Sequence, residues 1–139
     1  MTSPRAALAD RLADYDSLVE VGIGRRPEVA ATLVDAGCAV TATDVFDTSV
    51  PDGVGFVRDD VVARAERLTD GATPDDPYRV DAVYALNLPA ELQAPVRDVA
   101  HASGADCLFT TLGFEEPTVP VEREQVGRET LYTARSRRR

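Results

Sequence analysis

Between residues 18 and 26 the chain reads Leu-Val-Glu-Val-Gly-Ile-Gly-Arg-Arg, an apolar run that empties directly into two glycines. An apolar run of that length bounded by a turn signal predicts a buried strand over residues 18–21. The glycines at 22 and 24 let the backbone bend sharply and leave room where a side chain would collide. Pro27 and Glu28 come next. They suit the first turn of a helix, where proline gives up no hydrogen bond and a carboxylate meets the positive end of the dipole. The helix is expected over 27–36, stopped by Gly37. A second strand over 38–43 closes on Asp44. Strand, glycine loop, helix and strand in that order restrict the chain to an α/β fold built on a parallel pair.

The remaining elements repeat the alternation. Strands are predicted over 55–58, 80–86 and 105–112, and helices over 4–15, 61–68 and 90–103, the last stopped by Gly104. Residues 118–123 and 128–134, around Gly127, predict an antiparallel pair. The expected fold is therefore a Rossmann-like, mostly parallel sheet with helices on both faces and a C-terminal antiparallel strand pair. One link is irregular. The passage from the second strand to the third spans about ten residues without a helix, where a parallel crossover usually takes a dozen or more, so either this region is trimmed to a minimal loop or the third strand is short and marginal at the sheet edge. One domain is expected over residues 1–134, followed by an arginine-rich tail over 135–139.

Composition narrows the setting. The net charge is −9, and all fifteen basic residues are arginine. With aspartate outnumbering glutamate and tryptophan absent, the pattern predicts a protein kept soluble in concentrated salt by an acidic, hydrated surface. A GC-rich genome also favours arginine over lysine. In molar salt the Debye length is about 3 Å, so the net charge steers little. No apolar run approaches the roughly 20 residues of a membrane-spanning helix, and the N-terminus lacks the apolar centre of a signal peptide; a cytoplasmic location is expected. The two cysteines, Cys38 and Cys107, lie in apolar runs and supply neither a disulfide framework nor a metal cluster.

The candidate site is the glycine loop together with Asp44, twenty residues beyond Gly24. An acidic residue ending the neighbouring strand accepts hydrogen bonds from ribose hydroxyls, so Gly22, Gly24 and Asp44 outline a nucleoside-binding crevice. A dinucleotide fingerprint would need a third glycine at position 27, where this chain has Pro27. NAD(P) is thereby the weaker alternative. Glu20-Val-Gly-Ile-Gly instead resembles the acid-x-Gly-x-Gly opening of class I methyltransferases, which implies S-adenosylmethionine as cofactor. That resemblance implies Glu20, Gly22 and Gly24 near the methionine end, Asp44 at the ribose, Asp60 at the adenine, and Asn87, before Leu88-Pro89, where methyltransferases place catalytic or substrate-contacting side chains. The stretch Phe56-Val-Arg-Asp-Asp-Val61 is also similar to ribosomal RNA 2′-O-methyltransferases of the heat-shock type, whose catalytic lysines this chain lacks.

Taken along nearly its whole length, with Val-Glu-Val-Gly-Ile-Gly-Arg, Thr43-Asp44, Val-Arg-Asp-Asp-Val and Val-Tyr-Ala-Leu-Asn-Leu-Pro-Ala-Glu-Leu, the chain resembles the small archaeal Uncharacterised Protein Family 0146. That likeness implies a Rossmann-like fold and no established activity. Bland readings stand beside the functional ones. Asp60 suits a helix N-cap, and Asn87 a turn. His101 sits on an amphipathic helix, and Arg25 and Arg26 suit either an anion at the helix N-terminus or surface ion pairs. The arginine tail invites nucleic acid, but that attraction weakens steeply with salt. A methyltransferase-like enzyme of unknown substrate and a non-catalytic binding module or assembly subunit both remain open.

Overall fold

The computed structural model describes residues 5–24, 27–69, 77–113 and 115–135. The elements run α1 (Ala6–Leu12), β1 (Ser17–Val21), α2 (Glu28–Asp35), β2 (Ala39–Asp44), β3 (Gly55–Arg58), α3 (Val61–Thr69), β4 (Ala82–Ala85), α4 (Ala90–Ala102), β5 (Asp106–Phe109), β6 (Val121–Val126) and β7 (Glu129–Ala134). They build one seven-stranded sheet in the order β3-β2-β1-β4-β5-β7-β6. The first five strands are parallel, while β7 runs antiparallel to both β5 and β6.

Strand alternation sorts the core into two layers. Leu18 of β1, Val40 and Ala42 of β2, Ala82 and Tyr84 of β4 and Leu108 of β5 pack with Leu8 and Leu12 of α1 and Val29, Ala30 and Leu33 of α2. On the opposite face Val19, Val21, Val83, Ala85, Cys107 and Phe109 pack with Val61 of α3 and with Val96, Val99 and Ala100 of α4. Each face thus carries two helices, because in a strand successive side chains point to opposite sides.

Several boundaries depart from the expected ones. The opening helix covers Ala6–Leu12 and not residues up to 15, ending in a turn at Ala13 and Asp14; position 4 lies outside the described residues. Strand β4 is shorter than 80–86 and β5 shorter than 105–112, since the ladder between them stops at Ala85 and Phe109. The antiparallel pair is shifted: its first strand starts at Val121, just past Pro120, which has no N–H to give a ladder, and runs on to Val126. Gly127, with φ 62°, then makes the two-residue turn that sets Val126 opposite Glu129. The helix-free crossover after β2 is present, and β3 pairs parallel to β2 at the sheet edge. Val54 in that crossover tucks against the α2 side of the sheet. Arg25, Arg26 and tail positions 136–139 lie outside the described residues. No described helix is long and apolar enough to cross a membrane.

Candidate functional site

From β1 the chain moves outward through β2 to β3 and then returns to β4 on the other side of β1. The gap between the carboxyl ends of β1 and β4 is therefore the topological switch point, the place where an open parallel sheet leaves a crevice for a ligand. Gly22 follows β1 there, and Asn87 follows β4.

The glycine loop is stitched to the end of β2. The backbone N–H groups of Gly22 and Ile23 both donate to the Thr43 carbonyl, at 2.8 and 3.2 Å. The next one, Gly24 N–H, donates to Asp44 Oδ2 at 2.9 Å. Gly22 has φ 73° and Gly24 φ 54°, conformations that L side chains adopt only with strain. A Cβ at Gly22 would meet nothing within 4 Å, and one at Gly24 only the Gly22 carbonyl at 3.9 Å. The loop is thus dictated by backbone handedness, and no other described residue crowds the Cβ positions of its two glycines.

Asp44 is the hub of this end. Its other oxygen, Oδ1, accepts from Phe46 N–H at 3.2 Å, so the carboxylate fixes the glycine loop and the turn leaving β2 together. Each oxygen keeps a further acceptor position. That turn presents Phe46, 73% exposed, and Val45 as large apolar groups in solvent. Arg58 braces it by donating to the Val45 carbonyl at 3.1 Å. A cavity of about 430 Å³ opens beside Val45, lined by Arg58, Asp59, Asp60, Ala63 and Arg67.

Asp60 caps α3: its Oδ1 accepts from Val62 N–H at 3.0 Å and Ala63 N–H at 3.3 Å. Asp59 is committed elsewhere, to the Tyr78 hydroxyl at 2.7 Å and the Arg64 guanidinium at 3.1 Å. Glu20 is set apart from the open cleft. It shares the parity of Leu18, lies under the α1 and α2 layer and is 1% exposed. Its carboxyl accepts from the Tyr84 hydroxyl at 2.7 Å. Burial pushes it up to about 7, against lowering by that hydrogen bond and by the charge of Arg5, while Glu28 adds to the rise. Asn87 sits on a left-handed turn, and its half-buried side chain has no hydrogen-bond partner among the described residues. His101 lies in the last turn of α4, which starts at the carboxyl edge and runs away from it.

Sequence reasoning missed the scaffold behind these groups. Thr110, 2% exposed, accepts the Asn87 N–H on its hydroxyl at 2.8 Å. Fully buried Gln93 donates to the Leu88 carbonyl at 3.3 Å and accepts from Thr118 N–H at 2.7 Å, tying α4 to the loop that carries Asn87. The bonds of Asn87 to Thr110 and of Thr118 to Gln93 join residues remote in sequence and leave no local pattern. Val45 and Phe46 had a signal, an apolar pair directly after the strand-end aspartate. The described residues contain no group of three or more side chains able to hold a metal ion.

With this geometry in place, comparison with known proteins assigns the chain. The model of the Uncharacterised protein family UPF0146 matches residues 2–137. The chain belongs to this family. A family protein of Halobacterium salinarum is 50% identical over 136 residues, covering 97% of this chain and 98% of its own. A family protein of Archaeoglobus fulgidus is 36% identical over 107 residues, 76% of each chain. The fold is shared with methyltransferases. A ribosomal protein L11 methylase of Lactobacillus delbrueckii has a TM-score of 0.58 at 14% identity, with 96% of this chain and 79% of that one covered. The 1,6-didemethyltoxoflavin-N1-methyltransferase of Burkholderia thailandensis, solved with S-adenosylhomocysteine, has a TM-score of 0.51 at 19% identity over 96% of this chain. This chain spans 60% of that enzyme and 45% of the MycE methyltransferase of mycinamycin biosynthesis. The family architecture is therefore a Rossmann-like, methyltransferase-type sheet.

Proposed function

We propose that the chain binds S-adenosylmethionine in the crevice above Gly22 and Gly24, as a methyltransferase-like protein of still open acceptor. The reading rests on one observation: Gly24 N–H and the Asp44 carboxylate meet at 2.9 Å beneath space that a Cβ at Gly22 would enter unopposed. A carboxylate so held is preset to accept the hydroxyls of a ribose with its remaining lone pairs. Val45 and Phe46 supply apolar surface for a base, and Asp60 lies at the cavity beside them. Asn87 follows β4 on the other side of the crevice.

Nicotinamide dinucleotides fit this loop poorly. The amides of Gly22, Ile23 and Gly24 are spent on Thr43 and Asp44, and Pro27 has none to give. The first turn of α2 also carries its own anion, Glu28. A pyrophosphate would gain no donor from these three loop amides and would meet a like charge at the helix end. A cofactor with an amino acid in place of phosphates brings a single carboxylate, balanced by an ammonium group, to that end.

When bound, S-adenosylmethionine supplies an electrophilic methyl group, so the chain's own task is to align a nucleophile with it. The carboxamide of Asn87 can hold such a nucleophile by hydrogen bonds. It takes no proton from it, which favours a second reading, a binding module without chemistry. The test is thermal unfolding in molar KCl with S-adenosylmethionine, S-adenosylhomocysteine, NAD or NADP. A ligand at 100 times its Kd adds about 2.7 kcal/mol, or about 9 °C for a chain of this size. A shift with the S-adenosyl compounds alone supports the proposal; a shift with NAD or NADP alone defeats it. Binding without methyl transfer to any offered acceptor leaves the module reading.

A further inference from the structure

Asn87 is the only described residue other than glycine with a left-handed backbone, at φ 54°. Asparagine tolerates that region better than most side chains, but glycine enters it freely. Where a side chain is kept on such a turn, the backbone conformation is a pointer to use of that side chain. The turn does not hold itself. The Asn87 N–H donates to Thr110 Oγ1 at 2.8 Å, and the Leu88 N–H donates to the Thr110 carbonyl, also at 2.8 Å. Thr110 is in turn fixed by its own N–H, which donates to the Ala85 carbonyl at 3.1 Å. One nearly buried residue therefore takes both amides of the turn, while the Asn87 carboxamide, a donor and an acceptor, is left without a partner among the described residues.

The location gives that free amide a use. β1 pairs with β4 in a register that sets Glu20 opposite Tyr84, so the chain leaving β4 emerges at the same edge of the sheet, on the strand next to the one that ends at Gly22. Both sides of the switch point are thus built in the same way, with a left-handed turn held by hydrogen bonds from the next strand out: β2 for Gly22, β5 and its extension for Asn87. We infer that Thr110 is a positioning residue, whose hydroxyl holds Asn87 on its left-handed turn so that the carboxamide hydrogen-bonds the nucleoside cofactor bound over Gly22. This rests on the cofactor reading above. Thr110 touches no ligand itself; it acts through Asn87.

The experiment pairs S-adenosylhomocysteine titration calorimetry with thermal unfolding, both in molar KCl, on T110V, T110S, N87G and the N87G/T110V double variant. T110V removes the acceptor and is expected to weaken binding about tenfold, and T110S, which keeps the hydroxyl, restores it. N87G weakens binding by a similar factor while its Tm rises by about 2 °C, because glycine takes the turn without strain. T110V lowers Tm less in the N87G background than in wild type, since a glycine turn needs less holding. T110V binding with wild-type affinity, or lowering Tm equally in both backgrounds, overturns the inference. A wild type that binds no S-adenosyl compound defeats the cofactor reading separately, and the unfolding cycle alone then decides whether Thr110 holds the Asn87 turn.

Discussion

Replacing Glu20 with Gln should remove a pH dependence that the wild type carries in its core. The carboxyl is enclosed between β1, β4 and the α1 and α2 layer, with the Tyr84 hydroxyl at 2.7 Å. Its ordinary value of 4.5 is raised to about 7, burial being the main cause. In the unfolded chain it titrates near the ordinary value, so between about pH 4.5 and 7 the folded state holds the proton more tightly. Folding is then favoured fully at low pH, and that advantage is lost as pH rises through 7. The whole swing is about 3 kcal/mol, or about 10 °C in Tm. Glutamine mimics the protonated form and still offers Tyr84 an acceptor. Circular dichroism melts of both proteins at half-unit steps from pH 5 to 8.5 in molar KCl give the difference directly. It should be about 3 °C at pH 5 and reach about 10 °C in favour of E20Q at pH 8. Salt has little purchase on so buried a group. A difference that stays flat across this range refutes the placement of Glu20 in a dry pocket.

Four further outcomes follow from the same contacts. D44A should abolish binding of S-adenosyl compounds, and D44N, which keeps one acceptor, should retain part of it; calorimetric affinity unchanged in D44A would remove the carboxylate from the site. Q93L should cost about 2 kcal/mol in chemical denaturation, because it strands the buried Leu88 carbonyl and removes the acceptor of the part-buried Thr118 N–H; a loss under 1 kcal/mol would mean that water replaces the amide. G22A should destabilise by about 1 to 2 kcal/mol despite open space around its Cβ, since φ 73° is the obstacle. Of the two thiols, Cys38 should react with a disulfide reagent in the native protein and Cys107 only on unfolding, because burial pushes Cys107 up to about 12 while Cys38 is only half-buried. Equal native rates would contradict that burial.

The half of the fold nearest the glycine loop was legible because local chemistry dictates it. Glycines at 22 and 24, Pro27 at the head of α2, Gly37 behind it and Asp44 at the end of β2 each restrict the backbone where they stand. The edge position of β3 was one of the two outcomes that a ten-residue link without a helix leaves open. The insertion of β7 between β5 and β6 was not foreseeable, because it is decided by long-range pairing and leaves no spacing signal. The same holds for the site. Gly22, Gly24 and Asp44 sit on adjacent strand ends and came together as their positions suggested, whereas Thr110 and Gln93 act through bonds spanning 23 and 25 residues. The burial of Glu20 was within reach of the same logic: two residues after buried Leu18, it had to face the same covered layer.

The three amides bonded from the glycine loop to the end of β2 bear on how a guest arrives. A loop already fastened has surrendered its freedom during folding, so docking need not order it again, and little of the contact energy is diverted to that purpose. Association should therefore proceed by simple capture, in a single kinetic phase whose rate rises linearly with guest concentration.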